Sequence, residues 1–261
     1  MKNMNYIYLS NQAMQGSHQQ GWSVNFDGDS RLPSAEHLTS LLDPAVFEGE
    51  KLSLLLQDSL LLPLRVVVEE KVGKRELNQY LLWKLKRFLP YPIENVLLRH
   101  VPLTDPNTYL TFSLPKSWVH DVFESFRKQG VHCGYLGGLF STLLEGRPEF
   151  KGRLCFCLFA DVYLLCEQTT QGVYETFNVR RLPLDTDGGL DLETLVDTDL
   201  TPALEQSDRP LTMLNFEPDL EGPFAALVRE VQNRAQVEQP ALQGGTLERF
   251  QACLSQTGVL S

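Results

Sequence analysis

Long apolar runs are absent from this sequence of 261 residues. Although 43% of the residues are hydrophobic, they nowhere form the uninterrupted stretch of about 18 that would cross a bilayer. The first residues, MKNMNYIYLS, hold no apolar core of signal-peptide length. We therefore expect neither an export signal nor direct membrane insertion, but enough apolar surface for a folded core.

Cysteine pairs and catalytic motifs are also missing. The five cysteines are an odd number and unevenly spaced, which indicates reduced, mostly buried thiols. Cys155 and Cys157 point to one face of a predicted strand, but no second ligand pair follows at zinc spacing. His100, His120 and His132 accompany no serine or cysteine in a recognisable catalytic motif. The sequence thus predicts no metal site and no catalytic residue.

Basic residues are outnumbered by acidic ones, 23 against 33, for a net charge of −10. The imbalance is concentrated between residues 185 and 219, where ten carboxylates accompany one basic residue, Arg209. Nucleic-acid binding uses a basic surface, and the composition gives no support for one. Residues 109–112, YLTF, also lack the basic-glycine-aromatic pattern of an RNA-stacking strand. We expect no nucleic-acid partner.

Two aspartate clusters are the remaining signals for metal chemistry. They are Asp27 with Asp29, and Asp185 with Asp187 and Asp191. A two-metal nuclease of the RNase H type holds its carboxylates on strands, whereas both clusters lie in turn-rich sequence. The second cluster also resembles a calcium loop, yet Gly189 and Leu190 stand where such a loop needs an oxygen ligand and a glycine. We interpret the first as an ordinary turn and the second as a solvated acidic loop.

The most informative segment covers residues 74–103. Apolar residues at three- and four-residue spacing predict the buried face of a helix: Leu77, Leu81, Leu85, Phe88 and Leu89. Basic residues fall mainly on the other face: Lys74, Arg75, Lys84, Lys86 and Arg87. We expect Trp83 to be an interior position as well. Pro90 and Pro92 end the helix, because each lacks an N–H and restricts the residue before it.

The sequence after this helix, PYPIENV at residues 90–96, resembles a motif of PilM-like proteins, Pro-x-Pro-hydrophobic-Glu-x-Val, in which a helix gives way to a strand. The order of predicted elements between residues 50 and 180 is similar too. PilM-like and GspL-like proteins are the actin-fold cytoplasmic components of type IV pilus and type II secretion platforms. GspL-like proteins usually carry a transmembrane helix, so the expected absence of one favours the PilM-like group.

Local patterns predict the elements of the first half of the chain. We expect strands at residues 5–9 and 21–26 joined by a polar loop, a helix at 34–42 opened by Ser34, and a buried strand at 51–57. Residues 64–136 then predict the order βαββαβ, which is the split βαβ arrangement.

The second half predicts a hairpin pattern followed by mixed elements. A short helix at 139–145 precedes three antiparallel strands, at 153–160, 162–168 and 173–180. The acidic segment is expected to be loop and short helix. A strand at 211–216 and a helix at 223–236 follow, and the pattern of the tail after Pro240 is ambiguous.

The resemblance implies an α/β protein with an actin-like (RNase H-like) fold. A split βαβ subdomain is inserted into the first half, and the second half is shortened. The expected domains are residues 1–62, the first half; 63–138, the inserted subdomain and its return strand; and 139–261, the second half with its acidic segment at 185–219.

An actin fold suggests nucleotide binding, in which one β-hairpin turn from each half cradles phosphate. The expected turns read SNQA at residues 10–13 and ADVY at 160–163, and neither contains glycine. Without glycine the backbone cannot approach phosphates closely, and Val162 and Tyr163 are expected to crowd them. We expect no cofactor and no enzymatic activity. The alternatives are a nucleotide-binding ATPase of the same machinery, and a stand-alone interaction domain of another system.

The resemblance implies protein partners at the cytoplasmic face of the inner membrane. The expected partner is a PilN-like membrane protein, bound through its short cytoplasmic N-terminal peptide, and the assembly ATPase is a second candidate. In PilM-like proteins this peptide lies in a groove beside the inserted subdomain. The residues expected to line it, where the chain crosses into and out of that subdomain, are Leu61, Leu62, Pro63 and Tyr135.

Overall fold

The computed structural model describes residues 5–10, 13–16, 22–25, 32–42, 51–145, 147–159, 161–186 and 189–254. These residues form two compact units, one up to Thr142 and the other from Leu143 onward. No helix in the described ranges has both the length and the apolar character needed to span a bilayer. The domain limits at residues 62 and 138 stay predictions.

The first unit contains two sheets and the helices that pack on them. Its strands are β1 (Asn5–Leu9), β2 (Ala13–Gly16), β3 (Trp22–Asn25), β4 (Lys51–Leu56), β5 (Leu64–Val67), β6 (Val96–Pro102), β7 (Thr108–Pro115) and β8 (His132–Gly138). Its helices are α1 (Ala35–Ser40), α2 (Leu77–Leu85), α3 (Lys116–Lys128) and α4 (Leu139–Glu145), the last of which continues into the second unit.

The larger sheet has the order β3-β2-β1-β4-β8. Strand β4 is parallel to both β1 and β8, and its last three residues, Leu54, Leu55 and Leu56, are fully buried. Such a continuous apolar run is typical of a strand covered on both faces. The Ser34 hydroxyl caps α1 by accepting a hydrogen bond from the His37 amide, 3.1 Å away, which confirms the predicted helix start.

The prediction of a polar loop between the first two expected strands is wrong in one respect. Residues 13–16 form β2, which pairs antiparallel with both β1 and β3. The Met14 side chain is completely buried. The segment is too short and too polar to predict a strand, and it becomes one because β1 needs a hydrogen-bonding partner on that edge.

The inserted subdomain contains a three-stranded antiparallel sheet of order β5-β7-β6. The inner face of α2 packs on it, with Leu81 and Leu85 against Val66 and Val68. A 3₁₀ turn, Ile93–Asn95, leads from the two prolines into β6. The predicted order of elements is therefore confirmed.

The last helix and strand of the predicted split βαβ pattern belong elsewhere. Strand β8 pairs with β4 in the larger sheet, and α3 packs against α1. The Trp118 indole on α3 donates to the Pro33 carbonyl, 2.7 Å away. A fourth strand of the small sheet is not formed within the described residues, because β8 finds a parallel partner in the central strand β4.

Trp83 was expected inside the subdomain, and that expectation is wrong. Its side chain is 60% exposed, whereas Leu81 is completely buried. Two residues along a helix correspond to about 200° of rotation, so both cannot face the same sheet. Phe88, also assigned to the buried face, is 66% exposed because the regular helix ends at Leu85.

The second unit is built around one mixed sheet. Its strands are β9 (Leu154–Phe159), β10 (Val162–Gln168), β11 (Tyr174–Arg181), β12 (Leu211–Asn215) and β13 (Val237–Glu238). Its helices are α5 (Leu192–Leu195), α6 (Thr201–Gln206), α7 (Glu221–Gln232) and α8 (Thr246–Leu254), with a π-helical turn, Val196–Leu200, between α5 and α6. The predicted hairpins, acidic helical segment and late strand and helix are confirmed.

The core of the second unit is mainly aliphatic and contains a stack of three aromatic rings. The Phe156 ring stacks on Tyr163, with centroids 5.4 Å apart, and on Phe224, with centroids 6.4 Å apart. Cys155 and Cys157 are fully buried in β9, and burial raises the pKa of the Cys155 thiol to about 12. Such thiols are poor nucleophiles at neutral pH.

The two larger sheets repeat one topology that the sequence does not reveal. The second sheet has the order β11-β10-β9-β12-β13, which matches β3-β2-β1-β4-β8 position by position. In each, the first strand has an antiparallel hairpin partner on one side and a parallel partner on the other. This duplication is a property of the fold, not of a sequence repeat.

Candidate partner-binding site

Asp58 is the most unusual side chain at the carboxyl end of the first unit's parallel strands. It opens the 3₁₀ turn Asp58–Leu61, directly after β4, and it is completely buried. Its carboxylate oxygens accept hydrogen bonds from the backbone amides of Phe140, 2.7 Å away, and Ser141, 3.1 Å away. These amides belong to the first turn of α4, where backbone N–H groups lack partners within the helix. Asp58 thus ties the end of β4 to the start of α4.

Gly138 makes this contact possible, and the neighbouring Gly137 leaves room for the Tyr135 ring. A Cβ on Gly138 would lie 2.3 Å from Asp58 Oδ1, and a Cβ on Gly137 would lie 2.4 Å from the Tyr135 hydroxyl oxygen. Burial raises the pKa of Asp58 to about 7, against the lowering effect of the two amide hydrogen bonds. Sequence reasoning missed Asp58. Its signal was a carboxylate placed directly after a buried apolar run.

The four predicted groove residues differ in exposure. Leu61 is buried, whereas Leu62, Pro63 and Tyr135 are half-buried. Leu62 has a φ of 49°, in the left-handed region, where it ends the 3₁₀ turn. The Tyr135 hydroxyl shares a hydrogen bond of 2.9 Å with Thr142 Oγ1.

The structure does not bring all four residues onto one surface. Side chains alternate between faces along β8, so Tyr135 and Gly137 share one face while Gly138 lies on the other. Leu61 approaches the Gly138 side, since its Cδ1 would be 2.8 Å from a Cβ there. Leu61 and Tyr135 are therefore on opposite sides of β8. Their role in partner binding stays a prediction.

The second expected phosphate turn can be checked from residue 161 onward. Val162 and Tyr163 are buried, and the Tyr163 hydroxyl donates to the Asp199 carboxylate. The Tyr163 ring lies in the core against Phe156, so the expectation that it crowds the turn is wrong. The argument against phosphate binding there is reduced to the missing glycine. Residues 11 and 12 of the first turn lie outside the described residues.

The aspartates of the predicted acidic loop act in local capping. Asp191 accepts from the Thr194 amide, 3.0 Å away, at the start of α5, and Asp185 accepts from the Gly189 amide, 2.7 Å away. Asp27, Asp29 and Asp187 lie outside the described residues. Within the part of the chain that the structure describes, no three or more His, Cys, Asp or Glu side chains lie close enough together to hold a metal ion.

A cavity of about 330 Å³ lies in the second unit, at the carboxyl end of β12. Its lining residues are Asn215, Glu221, Phe224, Gln239, Pro240, Ala241, Leu242 and Arg249. The buried Arg249 guanidinium donates to the carbonyls of Gly244, 2.9 Å away, and Asn215, 3.3 Å away, and to the Glu221 carboxylate, 3.2 Å away. The Arg249 guanidinium in this cavity is thus already hydrogen-bonded to oxygen atoms of the protein.

Comparison with known proteins adds evidence on the fold. No family profile and no curated protein sequence matches the chain. The cytoplasmic domain of EpsL, an inner membrane component of the type II secretion system of Vibrio cholerae, has a TM-score of 0.53 and 16% identity, over 97% of this chain and 94% of that one. The PilM–PilN type IV pilus biogenesis complex has a TM-score of 0.58 and 15% identity, over 98% of both chains.

A third solved structure, a Bacteroides thetaiotaomicron protein with an actin-like ATPase fold and unknown function, has a TM-score of 0.56 and 12% identity, over 96% of this chain and 95% of that one. At such identities, the similarity establishes a shared fold. The chain has the actin-like ATPase fold, and the predicted resemblance to PilM-like and GspL-like proteins is confirmed at the level of that fold.

Proposed function

We propose that this chain is a non-catalytic scaffold in the inner-membrane assembly platform of a type IV pilus or type II secretion system, peripheral to the cytoplasmic face. The observation that supports this role is the full-length similarity in fold to the EpsL cytoplasmic domain and to the PilM–PilN complex, over 97% and 98% of this chain. The two alignments cover nearly the whole of this chain.

The geometry around Asp58 supports a role without nucleotide. In open α/β sheets, ligands bind at the carboxyl ends of parallel strands, and helix N-termini there provide N–H groups for phosphate. In the first unit, the amides of Phe140 and Ser141 at that edge already bind the Asp58 carboxylate. A phosphate would have to displace this internal acceptor.

Isothermal titration with Mg-ATP tests the absence of nucleotide binding. We expect no saturable heat at physiological ATP concentrations. A dissociation constant below about 100 μM, roughly −5.5 kcal/mol of binding, would contradict the non-catalytic role. Gly138→Asp, which disrupts the Asp58 contact, provides a comparison if weak binding is seen.

The proposed partner is a PilN-like membrane protein, by analogy with the PilM–PilN complex. Its cytoplasmic N-terminal peptide is proposed to bind beside Leu62 and Pro63, which are half-buried at the entry to the inserted subdomain. We expect backbone amide shifts near residues 61–64 and 135–138 when the peptide from a neighbouring PilN-like gene is titrated. Leu62→Asp should weaken binding, and Leu184→Asp, at an exposed leucine far along the chain, should not.

Shifts confined to the acidic segment at residues 185–219 would rule out this groove. The assembly ATPase is proposed as a second partner, and co-purification of the two proteins in the presence and absence of the peptide tests that part separately.

The alternative function is that of a nucleotide-binding ATPase in the same machinery. The cavity of about 330 Å³ at the carboxyl end of β12 favours it, because ligands of α/β proteins bind at such edges. The Mg-ATP titration separates the two, since saturable binding would favour the ATPase.

A further inference from the structure

The end of α2 and the turn after it carry large apolar side chains that the fold leaves uncovered. Trp83 and Phe88 are 60% and 66% exposed. The positions that pack against Val66 and Val68 in the buried cluster are occupied by Leu81 and Leu85 instead. Large apolar side chains that stay exposed near one another in the chain indicate a surface that contacts another body.

The Trp83 ring is held in place although it is exposed. The Tyr80 ring lies beside it, with centroids 5.8 Å apart, and the Lys84 ammonium lies 5.7 Å from the Trp83 centroid. Lys84 is itself fixed by a hydrogen bond of 3.0 Å to Glu69. The indole is therefore pre-ordered for a contact, which lowers the entropy lost when that contact forms.

The surroundings of these aromatic residues are strongly basic. Residues 71–99 contain seven basic and two acidic residues, a balance of +5 in a chain whose net charge is −10. Lys86 and Arg87 follow Trp83 by three and four positions, in the turn directly after α2, and both are exposed. Neither has an ion-pair partner among the residues that the structure describes.

We infer that the exposed residues at the end of α2 and in the turn after it, Trp83, Lys86, Arg87 and Phe88, called here the basic aromatic face, dock on an anionic lipid bilayer. Tryptophan and phenylalanine enter the headgroup boundary of a membrane, and lysine and arginine bind its anionic lipids. The contact is peripheral and spans nothing. It does not depend on the proposed scaffold role.

The charge and shape of the basic aromatic face favour an anionic bilayer over a protein partner. Exposed aromatic side chains next to exposed basic ones in the sequence suit a broad soft surface, whereas a peptide partner needs a groove. The rest of the chain carries a balance of −15, from −10 less +5, so an anionic membrane repels it and attracts this face alone. The basic aromatic face therefore sets the orientation of the chain on the membrane.

Vesicle co-sedimentation tests the proposal with the full chain. We expect binding to vesicles of equal parts phosphatidylglycerol and phosphatidylcholine, none to phosphatidylcholine alone, and weakening as salt rises. Lys86→Glu with Arg87→Glu should lower the partition coefficient about 100-fold or more, and Trp83→Ala with Phe88→Ala about tenfold or more.

Matched controls change the same chemistry elsewhere. Lys51→Glu with Lys128→Glu makes the same change in charge at exposed positions outside residues 71–99 and should leave binding within about threefold of wild type. Leu184→Ala removes an exposed apolar side chain, 64% accessible, and should have no effect. Thermal melting of each variant reports whether it is folded.

A second readout needs no destabilising change. Brominated lipids should quench the tryptophan fluorescence of the wild type on binding, and Trp83→Phe should remove most of that quenching while vesicle binding persists.

Absence of binding by the folded wild type, or equal losses in the control pair, would overturn the proposal. Self-association that needs Lys86 and Arg87, without vesicle binding, would instead assign the basic aromatic face to the acidic segment of a second copy.

Discussion

Asp58 occupies the space in which a side chain on residue 138 would lie. A Cβ on Gly138 would come 2.3 Å from Asp58 Oδ1 and 2.6 Å from Ser141 Oγ, both much closer than atoms can pack. The glycine is therefore required by the carboxylate, and the carboxylate is required by the two amides at the start of α4. These residues connect β4, β8 and α4 within the first unit.

Gly138→Ala should destabilise the protein by roughly 1–3 kcal/mol, because the methyl group forces Asp58 away from its amides. Gly222→Ala is the matched control. Gly222 lies in α7 with no atom within 4 Å of an added Cβ, so the change should stabilise by about 0.5–1 kcal/mol through helix propensity. Urea unfolding of both variants measures the difference. Equal effects would mean that the Asp58 contact does not constrain residue 138.

Asp58 should make stability depend on pH. Burial raises its pKa from 3.8 to about 7, so between these values the folded chain binds a proton that the unfolded chain has lost. The stabilisation that protonated Asp58 contributes is therefore present at low pH. It falls as the pH rises from 3.8 to about 7, by a few kcal/mol in order of magnitude. Asp58→Asn cannot titrate and should flatten this part of the urea-midpoint profile. Glu193→Gln, on an exposed helix position, should keep the wild-type slope.

Substitution by aspartate should reduce stability strongly at Leu81 and only slightly at Trp83. Leu81→Asp buries an unpaired charge against Val66 and Val68 and should cost several kcal/mol. Trp83→Asp, two residues on, places the same charge in solvent and should change stability by about 1 kcal/mol or less. Thermal unfolding decides the matter, and a wild-type melting temperature for Leu81→Asp would show that the helix packs through another face.

Arg249 should hold α8 on the second unit. Arg249→Ala removes three hydrogen bonds from a buried position, leaving the acceptors of Asn215 and Gly244 unpaired, and should cost about 2–4 kcal/mol. Arg249→Lys should rescue little, since an ammonium lacks the planar fork of donors. Arg229→Ala, at an exposed arginine on α7, is the control. Limited proteolysis should cut the first variant near α8 and leave the control intact; equal cleavage of the two would contradict this anchoring.

The fold class followed from the sequence because a local motif and the order of elements agreed. The prolines at 90 and 92 set a limit that the helix cannot pass, although α2 already ends at Leu85, and the turn at Ile93–Asn95 starts β6 as the PYPIENV motif predicts. Gly130 has a φ of 79°, which only a glycine adopts easily, and it ends α3 as expected. The groove residues Leu61, Leu62, Pro63 and Tyr135 came from the family resemblance alone, and the sequence had no means of showing that Leu61 and Tyr135 lie on opposite sides of β8.

What the sequence by itself determined is the set of elements whose signals are local: the apolar run of β4, the periodicity of α3, and the antiparallel pairing of β9 with β10. Only the tertiary structure decided which strand joins which sheet and which helical face is covered. Strand β8 joins β4, and Trp83 faces outward, because backbone groups and apolar faces are satisfied by partners outside the local segment. No local window of sequence contains those partners.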